Sequence, residues 1–392
     1  MTMTPRPEKK EKEQYHGFEQ GPIRPPSEAR SLLIRVTRNC PWNRCRFCPV
    51  YKGQRFSIRP EAHVIEDIDS LHRHVTTLRQ MTDGSGSILR EDIQKVVQDL
   101  PHHEEQAFHA ALNWYAAGMQ SIFIQDANSL VVKPDHLIRI LRHLRSRFPW
   151  VDRITSYARS HTVARISDDN LIQMREAGLN RIHMGLESGS DAVLAMIRKG
   201  VDKRTQIKAG QKAKKAGMQL SEYVMPGMGG KVLSQDHARQ TADALNQINP
   251  DFIRLRTLAI PDGIPLADDY RSGKFIKLGD TDTVREIRLF IQHLDGITSM
   301  ITSDHILNLL DEVQGRLPEA KPEMLAILDQ FLSLPEMEQC RFQVGRRMGV
   351  FTRLADLDSA RRRARVDAVC KQYGITPQNV DEMIGEMMTR FI

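Results

Sequence analysis

Six short apolar segments set the pattern of this chain, and each closes on a polar or glycine-rich cluster. They are residues 31–36, 121–124, 153–158, 181–186, 220–225 and 252–258, with helical stretches between them. Strand–helix repeats of this kind favour a parallel sheet with right-handed crossovers. Six units suit a curved, partly closed barrel better than a full ring of eight. The expected fold class is α/β, a partial (β/α)6 barrel with a C-terminal helical extension. In such a barrel the chemistry collects on loops at the C-terminal ends of the strands.

The rest of the chain fits around that core. Residues 1–29 are rich in Pro, Lys and Glu and are expected to form a mobile arm. Helices are expected over 58–81, after Pro60, and over 91–117, with a glycine–serine break at 83–87 between them. Further helices are expected over 134–147, over 168–177 with an N-cap from the Ser167 to Asp169 run, over 193–197 and over 205–216, with another following 226–230. Past about residue 280 the pattern changes: a helix at 284–295, a last short strand at 299–302, then mainly helices. The expected division is an arm at 1–29, a barrel at 30–280 and a mainly helical region at 281–392.

With 392 residues, of which 40% are apolar, one large barrel and a smaller unit can both bury a core. An aromatic share of 6% argues against a β-sandwich. The net charge of +7 is spread out; it suits an anionic substrate, a nucleic acid or an acidic electron donor, and equally a solvated surface. The N-terminus has no apolar stretch typical of a signal peptide, and no run of about 18 apolar residues suggests a membrane span. A cytoplasmic location is expected.

Three of the five cysteines fall within nine residues, Asn39-Cys40-Pro41-Trp42-Asn43-Arg44-Cys45-Arg46-Phe47-Cys48-Pro49, a C-x4-C-x2-C spacing. This is no disulfide framework; it points to a reducing compartment and to metal chemistry. Thiolates suit zinc or iron–sulfur clusters. Structural zinc usually takes four protein ligands, yet Cys340 and Cys370 lie far off in the helical tail. Three cysteines on one loop leave one iron of a four-iron cluster open to a substrate or cofactor. The alternatives are a zinc knuckle or inert core cysteines.

With the triad directly after the segment 31–36, and Phe47 just before the last cysteine, the chain resembles the radical SAM superfamily. The usual spacing there is C-x3-C-x2-C, and this loop carries one extra residue in its first gap. The resemblance runs over roughly residues 30 to 260. Residues 181–191 resemble the fourth-strand motif of the branch that includes the Elp3-like, methylthiotransferase and oxygen-independent coproporphyrinogen oxidase enzymes.

The resemblance implies a partial TIM-type barrel with a [4Fe–4S] cluster on Cys40, Cys45 and Cys48. It implies S-adenosylmethionine contacts from Glu187 and the adjacent Ser188, from Lys199 to the methionine carboxylate, and from Gln125 and Asp126 to the amino group. Ser156, Arg159 and Met225 occupy further contact positions. A carboxylate suits an ammonium or ribose hydroxyls through charge-assisted hydrogen bonds. Each position also has a plainer reading: an N-cap at Glu187-Ser188, a turn at residues 125–128, and a tight turn after Met225.

Arg254 and Arg256 alternate with Ile253 and Leu255, so both arginines share one face. Facing inward they would clamp an anion, of substrate or of S-adenosylmethionine; facing outward they would be packing charges. Glu222, Tyr223 and the run Ser303, Asp304 and His305 are further candidates for substrate contacts. His305 is not expected to be a catalytic base, and no catalytic residue is assigned.

The activity so implied is reductive cleavage of S-adenosylmethionine to a 5′-deoxyadenosyl radical, which takes hydrogen from a substrate. Reduced flavodoxin or ferredoxin would supply the electron. No cysteines for a second cluster are seen, and neither an RNA-binding β-domain, an acetyltransferase domain nor a cobalamin domain is expected. A nucleic-acid substrate is therefore not supported, and the substrate, which could be anionic, stays unassigned. The rival reading is a non-catalytic zinc or iron–sulfur protein with a nucleic-acid or protein partner.

Overall fold

The computed structural model describes residues 13–83 and 86–388. Residues 1–12 of the expected arm, and Gly84 and Ser85 of the glycine–serine break, lie outside the described residues. The strands in chain order are β1 (Leu32–Ile34), β2 (Thr37–Arg38), β3 (Ser57–Ile58), β4 (Ser121–Ile124), β5 (Arg153–Ala158), β6 (Leu179–Glu187), β7 (Gln219–Val224), β8 (Phe252–Leu255), β9 (Met300–Thr302) and β10 (Gly315–Arg316). An eight-stranded sheet runs β1-β4-β5-β6-β7-β8-β9-β10, parallel throughout until the antiparallel β9–β10 pair. All six expected strands are present, and the segment at 299–302 becomes β9. The sheet thus continues past residue 280, into the region expected to be mainly helical. Strand β10 and the β2–β3 pair were not expected, since two residues are too short to show a period.

The strand sequences explain the layering. Ile122, Ile154, Ile182, Leu220 and Ile253 point outward and join one core with the surrounding helices. Phe123, Tyr157, His183 and Tyr223 point inward and touch one another across the lumen. Burial on both faces is the mark of a parallel sheet covered by helices. Trimming one such outward residue, Ile182, to Ala would cost about 2–5 kcal/mol.

The stretch 91–117 is two helices rather than one, Arg90–Asp99 and His102–Ala116. Pro101 has no N–H to continue the first helix, and it holds Leu100 extended at φ −73°, ψ 135°. Among the described residues no helix is long and apolar enough to cross a membrane.

Residues 13–29 do not behave as a free arm. Phe18 is buried, and the Tyr15 hydroxyl donates to Asp67 at 2.9 Å. Glu28 is fully buried among residues at the N-terminal ends of the strands. It accepts from the Ser31 hydroxyl at 2.6 Å and from Arg153 at 3.2 Å, and its other oxygen lies 3.3 Å from His183 Nε2.

This pair gives the fold a pH dependence. Burial holds the His183 imidazole down to about 4. Burial alone would raise Glu28, but its bonds from His183 and Ser31 outweigh that and bring it to about 2. The unfolded chain takes up these protons near the ordinary values of about 6.5 and 4.3. It therefore binds more protons than the folded chain in both windows, and stability falls as pH drops from about 6.5 through 4, then further toward 2. The urea midpoint is expected to be lower at pH 5 than at pH 7, and His183→Asn should shrink that difference. An undiminished difference in the variant would remove His183 from the account.

Candidate active site

The cysteine loop hangs between β2 and β3 at the C-terminal end of β1, and all three cysteines are half-buried. The β2–β3 pairing, Thr37 with Ile58 and Arg38 with Ser57, closes its neck. Asn39 and Asn43 take left-handed backbone at φ 68° and 42°, which Asn accepts more readily than most residues. Asn39 Nδ2 donates to the Arg55 carbonyl at 2.7 Å, and Asn43 Nδ2 donates to the Tyr51 carbonyl. Lys52 Nζ donates to the carbonyls of Asn43 at 3.2 Å and Cys45 at 2.7 Å. The Asn43 amide donates to Cys40 Sγ at 3.4 Å.

The loop is also sewn to neighbouring elements. The Arg46 amide donates to the Ile197 carbonyl at 2.9 Å, the Leu266 amide donates to the Arg46 carbonyl at 3.1 Å, and Arg46 pairs with Asp269. Trp42 Nε1 donates to the Arg198 carbonyl at 2.8 Å. Its ring lies 5.2 Å from the Arg44 guanidinium and 5.0 Å from that of Arg159. Gly200 lies against the same ring with φ 73°, and a Cβ there would stand 2.3 Å from it. Gly200→Ala is therefore expected to cost about 1–3 kcal/mol in urea unfolding and to loosen Trp42, seen as a red-shifted emission. Unchanged stability and emission would show that the loop tolerates the crowding.

Facing this loop is the end of β6. The register shifts between Gly185 and Glu187, and Glu187 takes φ 61°. Such a bulge re-aims a side chain. Lys199 Nζ donates to Glu187 Oε1 at 2.8 Å, with the two side chains 13% and 12% exposed. A Cβ on Gly185 would lie 2.2 Å from Glu187 Oε1 and 3.0 Å from Lys199 Nζ, so the ion pair fills the space this glycine leaves. Lys199 Nζ also stands 5.9 Å from the Phe47 ring. Burial opposes the Lys199 charge, but Glu187 and Cys45 outweigh it and raise the ammonium above its usual value. Burial pushes the Cys45 and Cys48 thiols up; Lys199 pulls both the other way, joined at Cys45 by Arg159. Arg159 donates to the Lys199 carbonyl at 2.8 Å, and its own amide donates to Asn128 Oδ1 at 3.0 Å. The Met225 amide donates to the Glu187 carbonyl at 3.0 Å, and its side chain packs in one apolar cluster with Phe47, Val193, Met228 and Leu258.

The structure thus brings Glu187, Lys199, Arg159 and Met225 to the cysteine loop. Of the other positions named from the sequence, Asp126 bonds Tyr51 of the loop, and the rest are engaged elsewhere. Gln125 holds residues 20–23: its Oε1 accepts from the Gly21 amide at 2.8 Å, and its Nε2 donates to the Gly21 and Ile23 carbonyls at 3.2 and 3.1 Å. Asp126 is buried and accepts from Arg35 Nε at 2.7 Å and from the Tyr51 hydroxyl at 3.0 Å. Burial raises its carboxyl, against the pull of Arg35. Ser156 is aligned with Ile124 and Ile182 on the helix-facing side, where its hydroxyl bonds backbone carbonyls. Ser188 Oγ lies 2.8 Å from His237 Nδ1 and accepts from the Ser190 amide at 3.0 Å. Ser190, two residues on, caps the helix Asp191–Met196 by accepting from the Val193 amide at 3.3 Å, so the alternative cap at Glu187-Ser188 is not used.

Arg254 faces the lumen, aligned with Tyr223 and Thr302, and reaches Ser221 Oγ at 3.1 Å and Asp304 at 3.2 Å. Arg256 follows just beyond β8, its guanidinium 4.6 Å from the Tyr223 ring. Glu222 is buried on the other face, aligned with Met184 and Ile253, and burial raises its carboxyl well above the usual range. Sequence reasoning missed Trp42, Tyr51, Lys52 and Asn128 as supports; only Asn128, in the polar cluster after β4, carried a readable signal.

The donor set suits an iron–sulfur cluster. Three thiols share one loop, and Lys199 and Arg159 place positive charge beside them. Cys340 and Cys370 contact each other in the C-terminal helices. Among the described residues no three His, Cys, Asp or Glu side chains converge tightly enough for a single metal ion.

The radical SAM superfamily profile matches residues 34–243. The tRNA uridine(34) acetyltransferases of Methanocaldococcus infernus and Methanocaldococcus jannaschii are each 25% identical, over 122 and 104 residues. Those stretches are 31% and 26% of this chain but 23% and 19% of the relatives, so the chain matches less than a quarter of their length. The solved structure of Methanocaldococcus infernus Elp3, lacking its N-terminus, overlaps 47% of this chain and 48% of that one, with a TM-score of 0.37 and 18% identity. The thiol loop, the facing ion pair and the family match over more than half the chain lead to one conclusion: the chain belongs to the radical SAM superfamily, enzymes that work with a [4Fe–4S] cluster and S-adenosylmethionine.

Proposed function

We propose that Cys40, Cys45 and Cys48 hold the cluster and that Glu187, Lys199 and Arg159 receive the polar ends of S-adenosylmethionine. When bound, these two groups supply reductive cleavage of the sulfonium to a 5′-deoxyadenosyl radical that takes hydrogen from the substrate. The carrying observation is the Glu187–Lys199 pair, held at 2.8 Å and electrostatically coupled to Cys45. Lys199 is the cation for the methionine carboxylate, and Glu187 the acceptor for the ammonium or ribose hydroxyls. Arg159, tied to the Lys199 carbonyl, fixes the position of that lysine. Phe47 and Met225 form the apolar wall that shields the adenosyl group from water. Ser188, Gln125 and Asp126 act as positioning residues, holding the loop after β6, the N-terminal segment and Tyr51.

Enzymes of this class need an external electron donor. An acidic flavodoxin or ferredoxin fits the exposed Arg44 and Arg198 beside Trp42. The sheet from β1 through β10 serves as the catalytic barrel and the helices after it as its flank. Anaerobic reconstitution with iron and sulfide, then dithionite and S-adenosylmethionine, is expected to yield 5′-deoxyadenosine and methionine. Iron bound in full with no 5′-deoxyadenosine formed would overturn the proposal.

A further inference from the structure

The lumen holds a second group of polar side chains that the proposed cofactor contacts do not use. The Tyr223 hydroxyl is buried next to the Tyr157 hydroxyl, and His305 Nδ1 is buried without a hydrogen-bond partner. The Arg256 guanidinium stacks on the Tyr223 ring at 4.6 Å and has no carboxylate partner among the described residues. Arg254 differs, being tied to Ser221 and Asp304. Tyr157 lies 6.3 Å from Tyr223, ring to ring and tilted by 50°, and Phe123 meets Tyr157 edge-on at 5.1 Å, so the same space is lined by aromatic rings.

This group is held in place. Asn308 Oδ1 accepts from the Thr257 amide at 3.0 Å and from its hydroxyl at 2.9 Å. Asn308 Nδ2 donates to the Leu255 carbonyl at 2.9 Å and to Ser303 Oγ at 3.0 Å. One side chain therefore locks the segment carrying Arg256 to the segment carrying His305. Burial, with Arg256 beside it, holds the His305 imidazole down to about 4, so it is neutral at pH 7 and offers a hydrogen bond without adding charge. A buried polar atom left unpaired costs about 1–3 kcal/mol, so such groups mark where a ligand belongs. A guanidinium without a counter-ion selects an oxyanion, and its planar fork matches carboxylate or phosphate.

We infer that the lumen at β7–β9 binds the oxyanion of a small substrate, paired with Arg256 and hydrogen-bonded by Tyr223 and His305, with a planar body against Tyr157. This rests on the radical SAM reading for the reaction, but the binding can be tested apart from it. The reconstituted full chain is titrated with benzoate, phenyl phosphate and neutral benzamide while its thermal midpoint is followed. Benzoate or phenyl phosphate should raise the midpoint and benzamide should not; the stronger of the two anions tells carboxylate from phosphate. Arg256→Gln should weaken that anion about tenfold or more, and Tyr223→Phe, which removes one hydroxyl, should weaken it several-fold. No midpoint rise with either anion, an equal rise with benzamide, or an unchanged anion affinity in both variants would overturn the inference. A parallel assay of 5′-deoxyadenosine separates the cases: an anion-responsive chain that forms none refutes the radical reading and leaves the site standing. If 5′-deoxyadenosine formation is stimulated by the RNA fraction of a cell extract and not by its nuclease-treated, anion-exchange-retained small molecules, the small-substrate assignment fails.

Discussion

A Cys45→Ala chain, reconstituted anaerobically, is expected to lose the brown cluster chromophore and to cleave S-adenosylmethionine only at background. Its fold should barely change, because Lys52 holds the Cys45 carbonyl, which alanine keeps, and not the thiol. Cys340→Ala and Cys370→Ala are the controls; both residues sit in the C-terminal helices, and both variants should stay brown and active. Iron content, absorbance and 5′-deoxyadenosine are read together with a urea midpoint. Full iron and normal cleavage in Cys45→Ala would remove that residue from the ligand set.

The Lys199→Met chain carries the second large effect. It leaves the Glu187 carboxylate, 12% exposed, without the cation 2.8 Å away. Breaking a fully buried pair costs about 3–5 kcal/mol; the residual exposure here puts the expected cost at about 1–3 kcal/mol. The affinity for S-adenosylmethionine should fall about tenfold to a hundredfold, from the loss of a charge-assisted contact. The double variant Glu187→Gln/Lys199→Met separates the two roles. With both charges gone, stability should return toward that of the parent while cofactor binding stays weak. Equilibrium dialysis with labelled S-adenosylmethionine decides it: a double variant that binds like the parent would make the pair purely structural.

Much of this architecture was legible in the residue pattern. The six expected strands were apolar and bounded by polar clusters, and all of them form. The cysteine loop was readable as a thiolate site because its chemistry is local to a short motif, whereas Glu187 was named through resemblance. Lys199 was readable only through resemblance, since a lone lysine twelve residues on carries no period. Gln125 and Ser156 show the limit. A polar residue at a strand end can face the lumen, the helices or another segment, and only the register decides. Ser156 falls on the helix-facing side, and Gln125 turns to residues 20–23. The anchored N-terminal segment was missed because composition reports solubility, whereas the attachment depends on a few contacts, such as Glu28 with Ser31 and Arg153. The Leu100–Pro101 break lies within the stretch 91–117 expected as one helix, where proline cannot continue the first helix.

The bonding of the cysteine loop bears on the order of events during maturation. Lys52, Asn39, Asn43, Arg46 and Trp42 fix the loop with donors and acceptors that involve no iron. The polypeptide can therefore finish folding first and serve as a ready receptacle for its inorganic cargo. A zinc finger is the opposite case, because there the metal drives the folding. Here oxygen or a chelator would strip the prosthetic group and leave a shell that can be refilled.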